Sequence, residues 1–181
     1  MKYLDGLEIA DINIIHSQGI AQARNEGAAK AETEILLFLD DDITPPATLQ
    51  AHIDNLQPGE LIIAQERFPS TRVMAIHKSD FWRLGGFDTR LEHVAEDRDF
   101  WLKAIDSGFK IKKIPICKVR HFAHPRRCRM KGRVMAREHG LVLRKWLVKQ
   151  PWYVASHILD RVCHFKLRSI LYELFFMVVT R

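Results

Sequence analysis

The rhythm of apolar and polar positions changes several times along the chain, and each change predicts an element. Residues 11–15 read as a short strand. The segment GIAQARNEGAAKA, 19–31, is alanine-rich and favours helix. Residues 35–39 are apolar without a break, the pattern of a strand buried on both faces. Thr44 then stands where a helix N-cap is wanted, with prolines in the first turn, and predicts a helix to about residue 56. Residues 61–64 and 72–76 are further strands, and Ser79 opens a short helix that ends at Gly85. Residues 95–107 predict a helix with Gly108 in the stop position. The segment 110–120 is extended and interrupted by Pro115. This alternation predicts a layered α/β sheet. Beyond His121 the pattern turns helical, over 131–149 and again from 152 to about 179, with Pro151 between the two.

Composition narrows the class. A chain of 181 residues, 47% hydrophobic and 28% charged, is globular and suits one domain of ordinary size. It contains no apolar run of transmembrane length, and its first residues, MKYLDGLEIADIN, lack the apolar core of a signal peptide. Cys117, Cys128 and Cys163 make an odd count without a CxxC pair, which predicts reduced thiols and a cytoplasmic protein. Cys117, His121, His124 and Cys128 are zinc-ligand types, but their spacing fits none of the usual fingers.

Charge divides the chain. The net charge is +6, yet residues 110–149 hold fourteen Lys or Arg and one acid, Glu138. Such a face suits nucleic acid, an acidic membrane, a phosphorylated small molecule, or plain solvation. Trp146 and Trp152 accompany it at helical spacing and without a nucleic-acid-binding motif, so no nucleic-acid partner is expected. The chain's last helix ends in ILYELFFMVV. Cations beside that apolar tail predict peripheral membrane contact through 152–181, at the inner face of the membrane; packing on the domain itself or a homodimer interface are the alternatives.

Two acidic clusters carry the candidate chemistry. In LLFLDDDITPP, 36–46, Asp40, Asp41 and Asp42 follow directly on a buried strand. Adjacent carboxylates repel, and a hard divalent cation between them relieves that repulsion. Mg²⁺ takes one or two carboxylates and shares its other positions with water and phosphate, so Asp-x-Asp at a strand's carboxyl end suits a metal carrying a diphosphate. A solvated acidic loop ahead of a helix N-terminus fits the same residues. In HVAEDRDFWLKAIDSGFKI, 93–111, Glu96 and Asp97 begin a predicted helix. Asp97 and Trp101 share one helix face, and a carboxylate beside an aromatic plate suits a sugar hydroxyl. Acids that merely decorate a helix N-terminus fit as well. Upstream, Gly85-Gly86-Phe87-Asp88 is a tight turn whose missing side chains permit close approach by a ligand.

Over about residues 11–124 the chain resembles family 2 glycosyltransferases of the GT-A fold. ARNEGAAKAETEILLFLDDDITP is similar to that family's helix, strand and Asp-x-Asp segment. MAIHKSDFWRLGGFDTRLEHVAEDRDFWLKAIDSGFKIKKIPICKVRH is similar to its acceptor half, in which a Gly-Gly-Phe-Asp turn precedes a Glu-Asp helix start. The resemblance implies a GT-A-like (Rossmann-like) layered α/β sheet over 1–124, with a basic, amphipathic helical extension over 125–181. It implies inverting transfer of a sugar from a nucleotide-diphosphate sugar to a hydroxyl acceptor, a glycan or a lipid-linked or polysaccharide precursor. Asp97 would be the general base and Glu96 would orient it. Asp42, with Asp40 and His121, would hold Mg²⁺ or Mn²⁺, and His124 is the alternative to His121. Arg24, Asn25 and Asp41 would line the donor pocket; Gly85, Gly86 and Trp101 would meet the acceptor. The basic stretch 126–133 would close over the phosphates.

The chain also departs from the family pattern. Residues 11–15 match the family's second strand, so the first strand and its base-holding loop are expected to be missing. The span from Asp42 to Gly85 is short, which implies a trimmed acceptor loop, and the Gln-x-x-Arg-Trp motif of processive synthases is absent, which implies transfer of a single sugar. A catalytically degenerate relative that binds without turnover is the alternative that the missing strand favours.

Overall fold

The computed structural model describes residues 19–40, 45–64, 72–114 and 132–163, together with Glu173, Leu174 and Met177. The expected strand at 11–15, the cap Thr44, and Asp41, Asp42, Cys117, His121, His124 and Cys128 lie outside the described residues.

Four strands form one mixed sheet in the order β1-β3-β2-β4, with β1 Ile35–Leu39, β2 Glu60–Ala64, β3 Val73–His77 and β4 Lys110–Ile114. β3 runs antiparallel to both neighbours, with Leu36 opposite Ile76 and Ile62 opposite Ala75, while β2 and β4 are parallel, with Leu61 opposite Ile111. The two central strands, ELIIA and VMAIH, are almost wholly buried. Both faces of the sheet are therefore apolar, and alternate residues feed opposite cores. β4 reads KIKKI and is one edge of the sheet among the described residues, where lysines discourage further strand pairing. Lys110 and Lys112 turn their charges onto Glu60 of the adjoining strand.

Helices α1 Ile20–Lys30, α3 Lys78–Arg83 and α4 Glu96–Asp106 cover one face. Leu36, Leu61, Ile63, Met74 and Ile76 meet Ala21, Ala28, Phe81, Phe100 and Ala104 there. The small residues of α1 let it lie close to the sheet, while aromatics fill the space beyond. Phe38, Phe81, Phe87 and Phe100 interlock with centroids 4.9–5.4 Å apart, in tilted and edge arrangements that aromatic quadrupoles favour. Helix α2 Leu49–Asp54 covers the other face, packing Leu49 and Ile53 on Ile62, Ala64, Val73 and Ala75.

The last two described helices, α5 Gly132–Trp146 and α6 Pro151–Cys163, build a further core against α4. Val142, Leu143 and Trp146 of α5 and Tyr153 and Val154 of α6 enclose Leu91, Ala95 and Leu102. Met177 packs on this cluster from outside, and Glu173 is buried beside His157 at 2.9 Å. Asp99, fully buried on α4, accepts hydrogen bonds from Trp146 Nε1 and Lys145 Nζ, both at 2.8 Å. Burying a carboxylate without such partners costs several kcal/mol, so these two bonds fix where α5 sits on α4.

The turn 85–88 is held from within. Asn25 of α1 donates through Nδ2 to the Phe87 carbonyl and accepts from the Phe87 amide, each at 2.9 Å. Lys103 of α4 donates to the Gly86 carbonyl at 2.8 Å. Gly85 and Gly86 both have positive φ, 80° and 63°. A Cβ on Gly86 would lie 2.9 Å from Asn25 Oδ1 and 3.3 Å from Trp82, whereas one on Gly85 would meet nothing within 4 Å.

Gly85→Ala is expected to cost about 1 kcal/mol, from left-handed backbone alone. Gly86→Ala adds the contact with Asn25 and is expected to cost roughly 2–3 kcal/mol. Urea unfolding of the two variants compares them directly, and equal losses would show that Asn25 does not constrain the turn.

Candidate active site

Four elements contribute to the site, and the sequence of each explains its part. β1 ends at Leu39, and the chain leaves the apolar layer into Asp40, whose amide still reaches the Arg72 carbonyl at 3.3 Å. Helix α1 begins at Gly19, where the Ile20 amide donates to the Glu92 carbonyl at 2.8 Å. This docking brings the start of α1 onto the loop that leads into α4. One turn later Arg24 projects from α1 between the two acidic clusters. Its Nη2 lies 3.0 Å from Asp40 Oδ1, and its Nη1 donates to Glu96 Oε1 in a short contact. The same guanidinium lies over the Phe87 ring, 5.7 Å from its centroid.

The start of α4 is unusual. Ala95, its N-cap, has φ 68° and ψ 2°, a left-handed conformation in a residue with a Cβ. Such a conformation costs roughly 1–2 kcal/mol and persists where the surroundings hold it. Glu138 of α5 supplies the hold. Its buried carboxylate accepts the His93 amide at 3.0 Å, the Val94 amide at 2.7 Å and His93 Nδ1 at 2.9 Å. The chain then turns at Ala95 and presents Glu96 and Asp97 in the first turn of α4.

Electrostatics at this point are crowded. Asp40, Glu96 and Asp97 are three carboxylates, and the nearest cations are Arg24 and Arg98. Glu96 is buried, and burial together with the neighbouring Asp97 pushes its carboxyl up to about 7, against the pull of Arg24. Asp97 is partly exposed, with Oδ1 accepting the Arg98 amide at 2.7 Å. Its carboxyl is also pushed up, by desolvation first and by the Asp40 charge, against Arg98 and Arg24. The charge on each carboxyl acts on the other, so their titration belongs to the pair.

Behind Asp97 the C-terminal helices place a polar wall. Arg98 approaches His139 Nδ1 at 3.4 Å, and the rings of His139, His157 and Tyr153 lie 5.4–6.2 Å apart in sequence along it. Burial raises the Tyr153 hydroxyl to about 12, so it stays protonated throughout the physiological range.

The expected site residues thus take different positions. Arg24, Asp40, Glu96 and Asp97 are brought together. Asn25 sits beside them with both ends of its amide on the backbone of Phe87. Gly86 is buried and its open side is filled by Asn25 and Trp82, while Gly85 is exposed with free space beside it. Trp101 is partly buried between two cores, edge-on to Trp152 at 5.8 Å and to Tyr153 at 6.2 Å, and its buried Nε1 has no hydrogen-bond partner. Asp41, Asp42 and His121 lie outside the described residues, among which no group of three or more metal-ligating side chains occurs. Asp40 offers carboxylate oxygen, the donor type that Mg²⁺ and Mn²⁺ prefer. Two residues of the site escaped the sequence reading. Asp99 stood beside the Glu-Asp pair without a distinguishing signal. Glu138 carried one, as the lone acid in a stretch of fourteen cations.

The model of the glycosyl transferase family 2 matches residues 3–100, more than half of the chain, including Arg24, Asp40, Glu96 and Asp97. The chain belongs to that family. Among curated proteins it is similar to the pre-mycofactocin glycosyltransferases of two Mycobacterium tuberculosis strains, CDC 1551 / Oshkosh and H37Rv. Each is 25% identical over 187 residues, covering 81% of this chain and 36% of the relative. The chain therefore spans about a third of the length of the curated relatives it matches. Among solved structures it is similar to the mannosyltransferase PcManGT from Pyrobaculum calidifontis in complex with GDP-Man and Mn²⁺, with a TM-score of 0.56 and 16% identity over 81% of this chain and 55% of that one. That likeness fixes the fold, a GT-A-like α/β arrangement in which a mixed sheet is flanked by helices.

The raised Glu96 carboxyl predicts a pH dependence. An unfolded glutamate loses its proton near 4.5, and the folded one near 7. Between those values the folded state binds more protons, so stability falls as pH rises and levels off above the window. The full effect is at most about 3 kcal/mol. Urea unfolding from pH 4.5 to 8 is expected to show this decline, and Glu96→Gln to flatten it. Stability that climbs across the window would contradict the carboxylate crowding.

Proposed function

We propose that this protein transfers a single sugar from a nucleotide-diphosphate sugar to a hydroxyl acceptor with inversion at the anomeric carbon. The observation that carries the reading is Arg24, which bridges Asp40 at 3.0 Å and Glu96 and so draws two acidic clusters, distant in sequence, to one place. A donor-side carboxylate and an acceptor-side carboxylate within reach of the same guanidinium fit opposite ends of one reacting bond.

In this reading Asp97 takes the proton of the acceptor hydroxyl. The acceptor oxygen attacks the anomeric carbon from the face opposite the diphosphate, the carbon–oxygen bond to the diphosphate breaks, and the configuration inverts. A partly exposed carboxylate whose proton affinity is raised suits a base that must accept a proton near neutrality. Glu96 keeps to Arg24 and orients the start of α4. Arg24 supplies positive charge to the side where the diphosphate departs. Asp40 and Asp42, with His121, would hold a Mg²⁺ or Mn²⁺ ion, which when bound stabilises the departing diphosphate as a Lewis acid. PcManGT, which carries GDP-Man and Mn²⁺, lends support to a nucleotide sugar and a divalent ion here.

Incubation with a panel of UDP-, GDP- and dTDP-sugars, Mg²⁺ or Mn²⁺ and simple glycoside acceptors is expected to release nucleoside diphosphate. Asp97→Asn is expected to slow that release by roughly 10²–10⁴-fold while donor binding, read by calorimetry, persists. Asp97→Asn at wild-type rate would remove the base assignment. Donor binding without turnover across the panel would favour the non-catalytic alternative.

A further inference from the structure

Several exposed cations on this surface have a carboxylate partner, while Lys30 and Lys113 form no ion pair among the described residues. Arg83 pairs with Asp80 at 2.8 Å, Arg90 with Asp88 at 2.6 Å, Lys110 with Glu60 at 3.3 Å and Lys149 with Asp106 at 2.8 Å. Helix α5 carries three that do not. Arg133, Arg137 and Arg144 are exposed and form no ion pair among the described residues. Their spacings, four and seven residues, set them on one face of the helix. The opposite face of α5 is a buried one, with Val142, Leu143 and Trp146 against α4 and α6. The arginine stripe therefore points away from the domain.

The stripe ends in apolar surface. Four residues beyond Arg144, in the turn between α5 and α6, Val148 is 88% exposed, and Leu147 beside it is 44% exposed. Trp152, at the start of α6, is 51% exposed, with its indole Nε1 donating to the Gln150 side chain. A β-branched aliphatic in water gains nothing there, and its burial elsewhere is favourable by roughly 25 cal/mol per Å². Nucleic acid would engage the guanidinium groups and leave Val148 and Leu147 in water. The interface of an anionic bilayer takes both: phosphates meet the arginines, and the hydrocarbon boundary meets the turn, with an amphipathic tryptophan between.

We propose that the outer face of α5 and the α5–α6 turn dock this domain on an anionic phospholipid surface, with Arg133, Arg137 and Arg144 on headgroup phosphates and Leu147, Val148 and Trp152 at the acyl boundary. No described helix is long and apolar enough to cross a membrane. The surface meets the expected contact segment, 152–181, at Trp152; within that segment Tyr153, Val154, His157 and Glu173 are buried, Leu159 is exposed, and residues 164–181 other than Glu173, Leu174 and Met177 lie outside the described residues.

Flotation of the full chain with vesicles tests this. Binding is expected to vesicles of phosphatidylcholine with phosphatidylglycerol and not to phosphatidylcholine alone, and it is expected to weaken with salt. Each arginine removed is expected to lower partitioning about five-fold, so Arg133→Gln/Arg137→Gln/Arg144→Gln together lower it about a hundred-fold. Val148→Ser is expected to lower vesicle binding about ten-fold while retention on heparin is unchanged. In the unaltered protein, tryptophan fluorescence is expected to be quenched by brominated lipid in anionic vesicles, and Trp152→Phe to remove most of that quenching. No flotation with anionic vesicles, or flotation indifferent to the arginine and Val148 substitutions, overturns the proposal. Heparin binding that matches vesicle binding, with Val148→Ser neutral in both, would make the stripe a general polyanion site and overturns it as well.

Discussion

The guanidinium of Arg24 is the constraint around which the rest of the site is arranged. It leaves α1 one turn after Gly19, meets Asp40 where β1 ends, and meets Glu96 where α4 begins. Three secondary-structure elements are thereby joined through one charge. Arginine suits the task because its planar fork offers two parallel donors to carboxylates and stays charged when partly buried. The bridge adds little to stability once desolvation is counted. What it does is set position: without its charge, Asp40, Glu96 and Asp97 would crowd one another more closely in charge.

Position at the other end comes from α5. Glu138 collects two backbone amides and an imidazole from residues 93–94, and this clamp holds Ala95 in its left-handed conformation. Asp99, Trp146 and Lys145 then secure α4 against α5. A base must be held to within a fraction of an ångström to act, and side chains on a helix locked by buried polar contacts meet that requirement better than a loop does. The C-terminal helices are therefore the wall against which the acidic turn is braced, as well as the elements that carry an outward basic face.

Much of the fold was legible because its signals are local. Residues 35–39 and 61–64 are apolar runs and both became strands; 61–64 is buried on both faces, whereas in 35–39 only Leu36 is fully buried and the rest are half-buried. Gly108 does follow the end of α4, with φ 77°. The Gly-Gly turn was legible as a turn, but its reason was not. Gly86 makes room for Asn25, a partner that lies on another helix and was expected beside the donor. Trp101 was legible as a helix-face neighbour of Asp97, whereas its packing against Trp152 and Tyr153 depends on α6 returning to that side of α4. Contacts between residues so far apart along the chain leave no spacing to read.

The sequence by itself determined the elements, their order, the family motifs and the division of charge, since these follow from propensity, periodicity and composition. It singled out Glu138 only as a lone acid among cations. Tertiary structure alone decided that this acid would be buried under the turn at 93–95 and that Arg24 would join the two acidic clusters. The physical reason is common to both. Hydrogen bonds and ion pairs act over a few ångströms, and only packing of the helices on the sheet brings such distant residues within that range.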